Sequence, residues 1–78
     1  MKGVRSRDPI LVQVGKRVRS LREGKGISQE VLAEKSNLHR TYIGGVERGL
    51  RTPSLKSLQR IAKGLGVAVA DLFQATKD

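Results

Sequence analysis

Apolar residues recur along this chain at spacings of three and four, in short runs that open on Asp or Ser and close on Gly or Asn. They nowhere alternate as a half-buried strand would, so the pattern predicts helices throughout. Five segments emerge. Asp8 caps the first, with Pro9 at the first helical position, where its missing N–H costs nothing. Leu11, Val14, Val18 and Leu21 form its stripe, Lys16, Arg17 and Arg19 occupy the rest of its surface, and Gly24 and Gly26 end it. Ser28 caps a second, short helix with Glu30 in its first turn and Val31, Leu32 and Ala33 on its apolar side. It stops at Ser36-Asn37, because Asn tolerates the left-handed backbone of a tight turn. A third segment starts near Leu38, buries Ile43 and Val46 and closes at Gly49. Pro53-Ser54 opens the fourth, whose Leu55, Leu58, Ile61, Ala62 and Leu65 make the cleanest amphipathic pattern before Gly66. Residues 69–74 predict a last short helix that exposes Leu72 and Phe73. The expected fold is all-α, five short helices over residues 8–74, with a basic arm at 1–7 and a tail at 75–78.

Such a fold must hold by packing. Seventy-eight residues suffice for one small domain, and the chain has no cysteine for disulfides, thiolate chemistry or metal sites. One histidine, His39, cannot build a zinc site, so no metal and no cofactor are expected. A catalytic constellation is also missing: there is no paired carboxylate pocket, no serine with a base and no strand-borne phosphate loop. The chain is read as a non-enzyme without a small-molecule ligand. No apolar run reaches membrane-spanning length and no signal peptide is visible. The expectation is a cytoplasmic protein, associated with the nucleoid.

Charge points to the partner. Sixteen Lys and Arg stand against seven Asp and Glu, a formal charge of +9. That excess favours a polyanion, nucleic acid before a membrane surface. Only Tyr42 and Phe73 are aromatic, too few for a base-stacking platform, which turns the reading from single strands toward duplex DNA.

Ser28 to Arg51 is the informative stretch, two short helices joined by a three-residue turn, with small Ala33 and Ile43 placed for a close crossing. At about 100° per residue, Ile43 and Val46 of the second helix set the core direction, and Thr41 and Arg48 fall opposite. Gly44 and Gly45 straddle that outward face; Arg40 and Tyr42 flank it. Two helix-interior glycines cost about 1 kcal/mol each against alanine, and on an outward face they would let the backbone approach a groove. Arg40, in the first turn, suits the major groove, where its fork matches guanine O6 and N7. Thr41 can bond a base edge or touch a thymine methyl. Tyr42 either adjoins the bases or covers the edge of the core.

Ser28-Gln29, Leu32-Ala33, Ile43, Glu47-Arg48-Gly49, Pro53-Ser54-Leu55, Ile61-Ala62 and Leu65-Gly66-Val67 together resemble the phage-repressor (Cro/repressor, XRE-type) helix-turn-helix family. The run from Ser36 to Gly49 looks most like the controller proteins of restriction–modification systems. The resemblance covers about residues 10–74. It implies a dimeric, sequence-specific transcriptional regulator that places the helix 39–48 in the major groove of a palindromic operator. Base contacts would fall to Arg40, Thr41 and Tyr42, with the backbones of Gly44 and Gly45 close by. Gly44 stands where related controllers often carry serine, so one side-chain contact is missing. Phosphate contacts would fall to Gln29, Ser28, His39, Arg48 and Arg51, with Arg17 of the first helix either joining them or lying on a solvated face. Arg22 matches a family arginine that pairs with the recognition-helix glutamate, here Glu47. Partners implied are double-stranded DNA, a second copy of the chain and, as a candidate third, RNA polymerase. Leu65, Val67, Val69, Leu72 and Phe73 are expected at the dimer interface, because the last two helices lie away from the reading helix and carry spare apolar residues. The alternative is an antitoxin that autoregulates through the same fold.

Overall fold

The computed structural model describes residues 8–76; the expected basic arm at 1–7 and the end of the expected tail lie outside them. Four α-helices form: α1 (Pro9–Gly24), α2 (Gln29–Ser36), α3 (Arg40–Glu47) and α4 (Leu55–Leu65). The expected fifth helix is a 3₁₀ helix, Val69–Phe73. Five residues leave room for little more than one turn, where the tighter 3₁₀ geometry is common. Asp71 Oδ2 closes that turn by accepting from the Ala68 N–H at 3.0 Å.

Local chemistry sets the helix ends. Asp8 accepts from the Ile10 N–H, Ser28 from the Val31 N–H and Ser54 from the Ser57 N–H, each satisfying a first-turn donor that the helix itself cannot. Asn37 (φ 57°) and Gly66 (φ 73°) end α2 and α4 in the left-handed region, where few side chains are tolerated.

Packing joins α2 to α4 and α3, α1 to α3, and the 3₁₀ helix to α4 and α1. Val14, Val18, Leu32, Ile43, Val46, Leu58, Ile61, Leu65 and Leu72 fill the centre. Two stripes depart from expectation. Leu55, in the first turn of α4, is 81% exposed, and Val31, in the first turn of α2, is exposed too. Leu65 and Leu72, expected on a dimer interface, are fully buried in the monomer core. Only Val67, Val69 and Phe73 of that set keep exposed surface. The 3₁₀ helix turns Leu72 inward against α4 and α1, and leaves Phe73 facing out.

Gly15 permits the crossing of α1 over α3. A Cβ there would lie 2.6 Å from the Glu47 carbonyl oxygen, which belongs to the backbone and cannot swing aside. The close approach sets where α3 sits on the core.

Candidate nucleic-acid interface

α3 follows the left-handed Asn37 and starts at His39, an extended N-cap residue whose side chain makes no capping bond. Ile43 and Val46 anchor one side of the helix in the core. Its last residue is held by charge. Arg22 Nε donates to Glu47 Oε2 at 2.7 Å and Arg22 Nη2 donates to Oε1 at 3.1 Å. The third fork position, Nη1, donates to the Ile27 carbonyl at 2.9 Å, and Gln29 Nε2 donates to Glu47 Oε1 at 3.0 Å. The side chains of Arg22 and Glu47 are only 12% and 3% exposed. Burying two charges is tolerable here because both are paired and further hydrogen-bonded. The hydrogen bond to Glu47 is the main reason the Arg22 guanidinium stands above its ordinary pKa, outweighing the opposing effect of burial. This cluster ties the end of α3 to the end of α1, the α1–α2 loop and the start of α2.

At the other end of α3 the side chains face water. Arg40 and Thr41 are exposed. Arg40 Nε lies 3.7 Å from Glu30 Oε2, and both side chains remain largely solvated. Nothing in the sequence pattern pairs these two, since they sit on different helices. Tyr42 is half-buried against the core and carries the Arg51 guanidinium 5.2 Å from its ring centroid, so it covers the core edge and stacks a cation at once.

Gly44 and Gly45 require a correction. Both are buried, not open. A Cβ on Gly44 would meet Arg48 Nη1 at 3.2 Å and Gln29 Oε1 at 3.6 Å; one on Gly45 would meet Arg51 Cγ at 2.6 Å. Long flexible side chains fold over the pair, and the missing Cβ atoms make room for them. Packing within the chain therefore accounts for Gly45, whereas a Cβ on Gly44 would meet only the flexible ends of Arg48 and Gln29. Groove approach by their backbones would need Arg48 and Arg51 to lift away.

Arg17 does not lie on a merely solvated face. Its Nε donates to the Asp71 carbonyl at 2.8 Å and its Nη2 to Gln74 Oε1 at 3.1 Å. It fastens α1 to the 3₁₀ helix. Gln29 is held by Glu47, although its amide keeps a second N–H. Ser28 is exposed as the α2 cap, and His39, Arg48 and Arg51 are exposed around α3. One residue that pattern reading missed is Gly15. A helix-interior glycine between Val14 and Val18 was the available signal, since such a position costs about 1 kcal/mol unless close packing needs it.

A helix-turn-helix family profile matches residues 18–72. The chain is 48% identical over 63 residues to the control protein C.BamHI of Bacillus amyloliquefaciens, covering 80% of this chain and 78% of that one. It superposes on the restriction–modification controller protein C.AhdI from Aeromonas hydrophila with a TM-score of 0.83 at 47% identity, over 85% of this chain and 100% of the other. The C.Esp1396I controller tetramer, solved in complex with its natural 35 base-pair operator, matches at TM-score 0.78 and 45% identity, over 85% of this chain and 87% of that one. These relatives are control proteins, which leaves the antitoxin reading without support. The chain belongs to the helix-turn-helix family, alongside the restriction–modification controller proteins.

Proposed function

We propose that this chain is a dimeric, sequence-specific transcriptional regulator of the restriction–modification controller kind. The observation that carries the reading is the brace: Arg22, Gln29 and Glu47 fix α3 on the domain while Arg40 and Thr41 project into solvent at its start. A helix held that way can enter the major groove with a fixed orientation. Arg40 and Thr41 read base edges, Tyr42 adjoins them, and Arg48, Arg51, His39 and Ser28 meet phosphates. RNA polymerase is the partner such a regulator engages beyond DNA. The protein acts in regulation and not in catalysis.

One domain of this size reads too few base pairs for useful specificity, and a two-fold pair with reading helices about 34 Å apart corrects that. With Leu65 and Leu72 buried, the second copy seats on the apolar surface that remains, with Phe73 of the expected set at its rim. A cleft of about 130 Å³ lies among Ile10, Pro53, Leu58 and Phe73. Ile10 and Phe73 at its rim are 45% and 41% exposed, and Leu55 begins α4 two residues beyond Pro53. The operator-bound tetramer of a relative favours this occupant over any other.

Selecting bound duplexes from random DNA tests the reading. A palindrome with half-sites one helical turn apart is the expected result; recovery of unrelated sequences overturns it. For the face, Phe73→Glu is expected to keep the fold and shift the protein toward monomer in sedimentation. A variant as dimeric as the wild type would place the second copy elsewhere.

A further inference from the structure

We infer that Glu30 is a positioning residue for Arg40 and sets how strongly the protein prefers its operator over other DNA; the inference rests on the regulator reading above. Glu30 stands in the first turn of α2, with Oε2 3.7 Å from Arg40 Nε across the helix-turn-helix. Glu47, the last residue of α3 itself, is buried and taken by Arg22 and Gln29. Glu30 is therefore the carboxylate that meets the exposed start of the reading helix. His39 makes no side-chain cap there, so the pair is the contact the structure shows holding Arg40.

The geometry has a consequence for guanine. A carboxylate at Nε leaves the edge formed by the two terminal nitrogens free, and that edge makes a two-point contact with O6 and N7. Holding one edge limits the rotamers of a side chain that otherwise loses considerable entropy on ordering. The benefit appears only where a guanine waits. The drawback is general, because a carboxylate near phosphates weakens binding to every duplex alike. Glu30 thus lowers non-specific affinity and spares the cognate contact.

A bland alternative is that Glu30 merely interacts with the α2 N-terminus. Glu34, also exposed on α2, provides the comparison: Glu34→Gln removes the same charge without touching the Arg40 pair. The probes are a duplex selected from random DNA by the wild-type chain and a scrambled duplex of equal length, at one fixed salt. Glu30→Gln is expected to tighten scrambled binding and reduce the selected-to-scrambled ratio about three- to five-fold, the scale of an exposed ion pair. Glu34→Gln should tighten both and leave the ratio alone. In an Arg40→Ala background, Glu30→Gln should leave it alone too. A ratio unchanged by Glu30→Gln, or lowered equally by Glu34→Gln or without Arg40, overturns the inference. A wild-type chain with no preference between duplexes would instead sink the regulator reading itself.

Discussion

The two ends of α3 each carry an arginine–glutamate pair, and the pairs differ in every respect that matters. Arg22 and Glu47 meet through two hydrogen bonds, at 2.7 and 3.1 Å, with side chains 12% and 3% exposed. Arg40 and Glu30 approach at one point, 3.7 Å apart, and are 61% and 71% exposed. Low dielectric strengthens the first pair and makes either partner costly if left alone. Water screens the second to at most about 1 kcal/mol. The same residue types thus serve as a fixed anchor at one end and a loosely held reader at the other. Burial makes that difference.

Removing the anchor should give the largest effect. Glu47→Ala leaves Arg22 buried without its acid and frees Gln29, at a cost of about 3–5 kcal/mol of folding stability. A denaturant midpoint unchanged from wild type would show that the buried pair contributes nothing. Because the Arg22 pKa is raised, its contribution is complete below the ordinary arginine range and would fade only at still higher pH. Stability across neutral pH should therefore not report on this pair.

Arg40→Ala sharpens the contrast from the other end. Stability should scarcely move, while binding to a selected operator weakens by about 1–3 kcal/mol per half-site and preference relaxes at one base pair in each. Equal loss on selected and scrambled duplexes would reduce Arg40 to a phosphate contact.

Between the ends, Gly45→Ala has a small expected effect on folding. Its Cβ displaces Arg51 Cγ, the stem of a flexible side chain, from the Tyr42 ring, while helix propensity gains about 1 kcal/mol. The two nearly cancel, so thermal stability should shift little. A large loss would mean that the Arg51 stack belongs to the fold and not only to the surface.

Much of this was legible because it is local. Asp8, Ser28 and Ser54 cap helices wherever a carboxylate or hydroxyl can reach a first-turn N–H, and Asn37 takes the left-handed turn its side chain tolerates. The Arg22–Glu47 pair was legible only through the family resemblance, as their 25-residue separation carries no pattern. Leu55 was misread because helical spacing names the stripe but not where the covering layer stops. Gly44 and Gly45 looked open because a wheel places side chains by direction and ignores how far Arg48 and Arg51 can reach back.

Sequence alone therefore determined where the helices begin and end, the all-α class and the basic character of α3's first turn, since propensity, caps and charge act within a few residues. Tertiary structure alone decided which apolar residues remain for a partner and which arginines remain free. Leu72 and Phe73 are neighbours in sequence, yet one is fully buried and the other 41% exposed. Arg17 and Arg19 share a helix, yet one is fastened to the last turn through Asp71 and Gln74 and the other pairs with Glu23 one turn along. These outcomes depend on where distant segments end up, and no short-range periodicity encodes that distance.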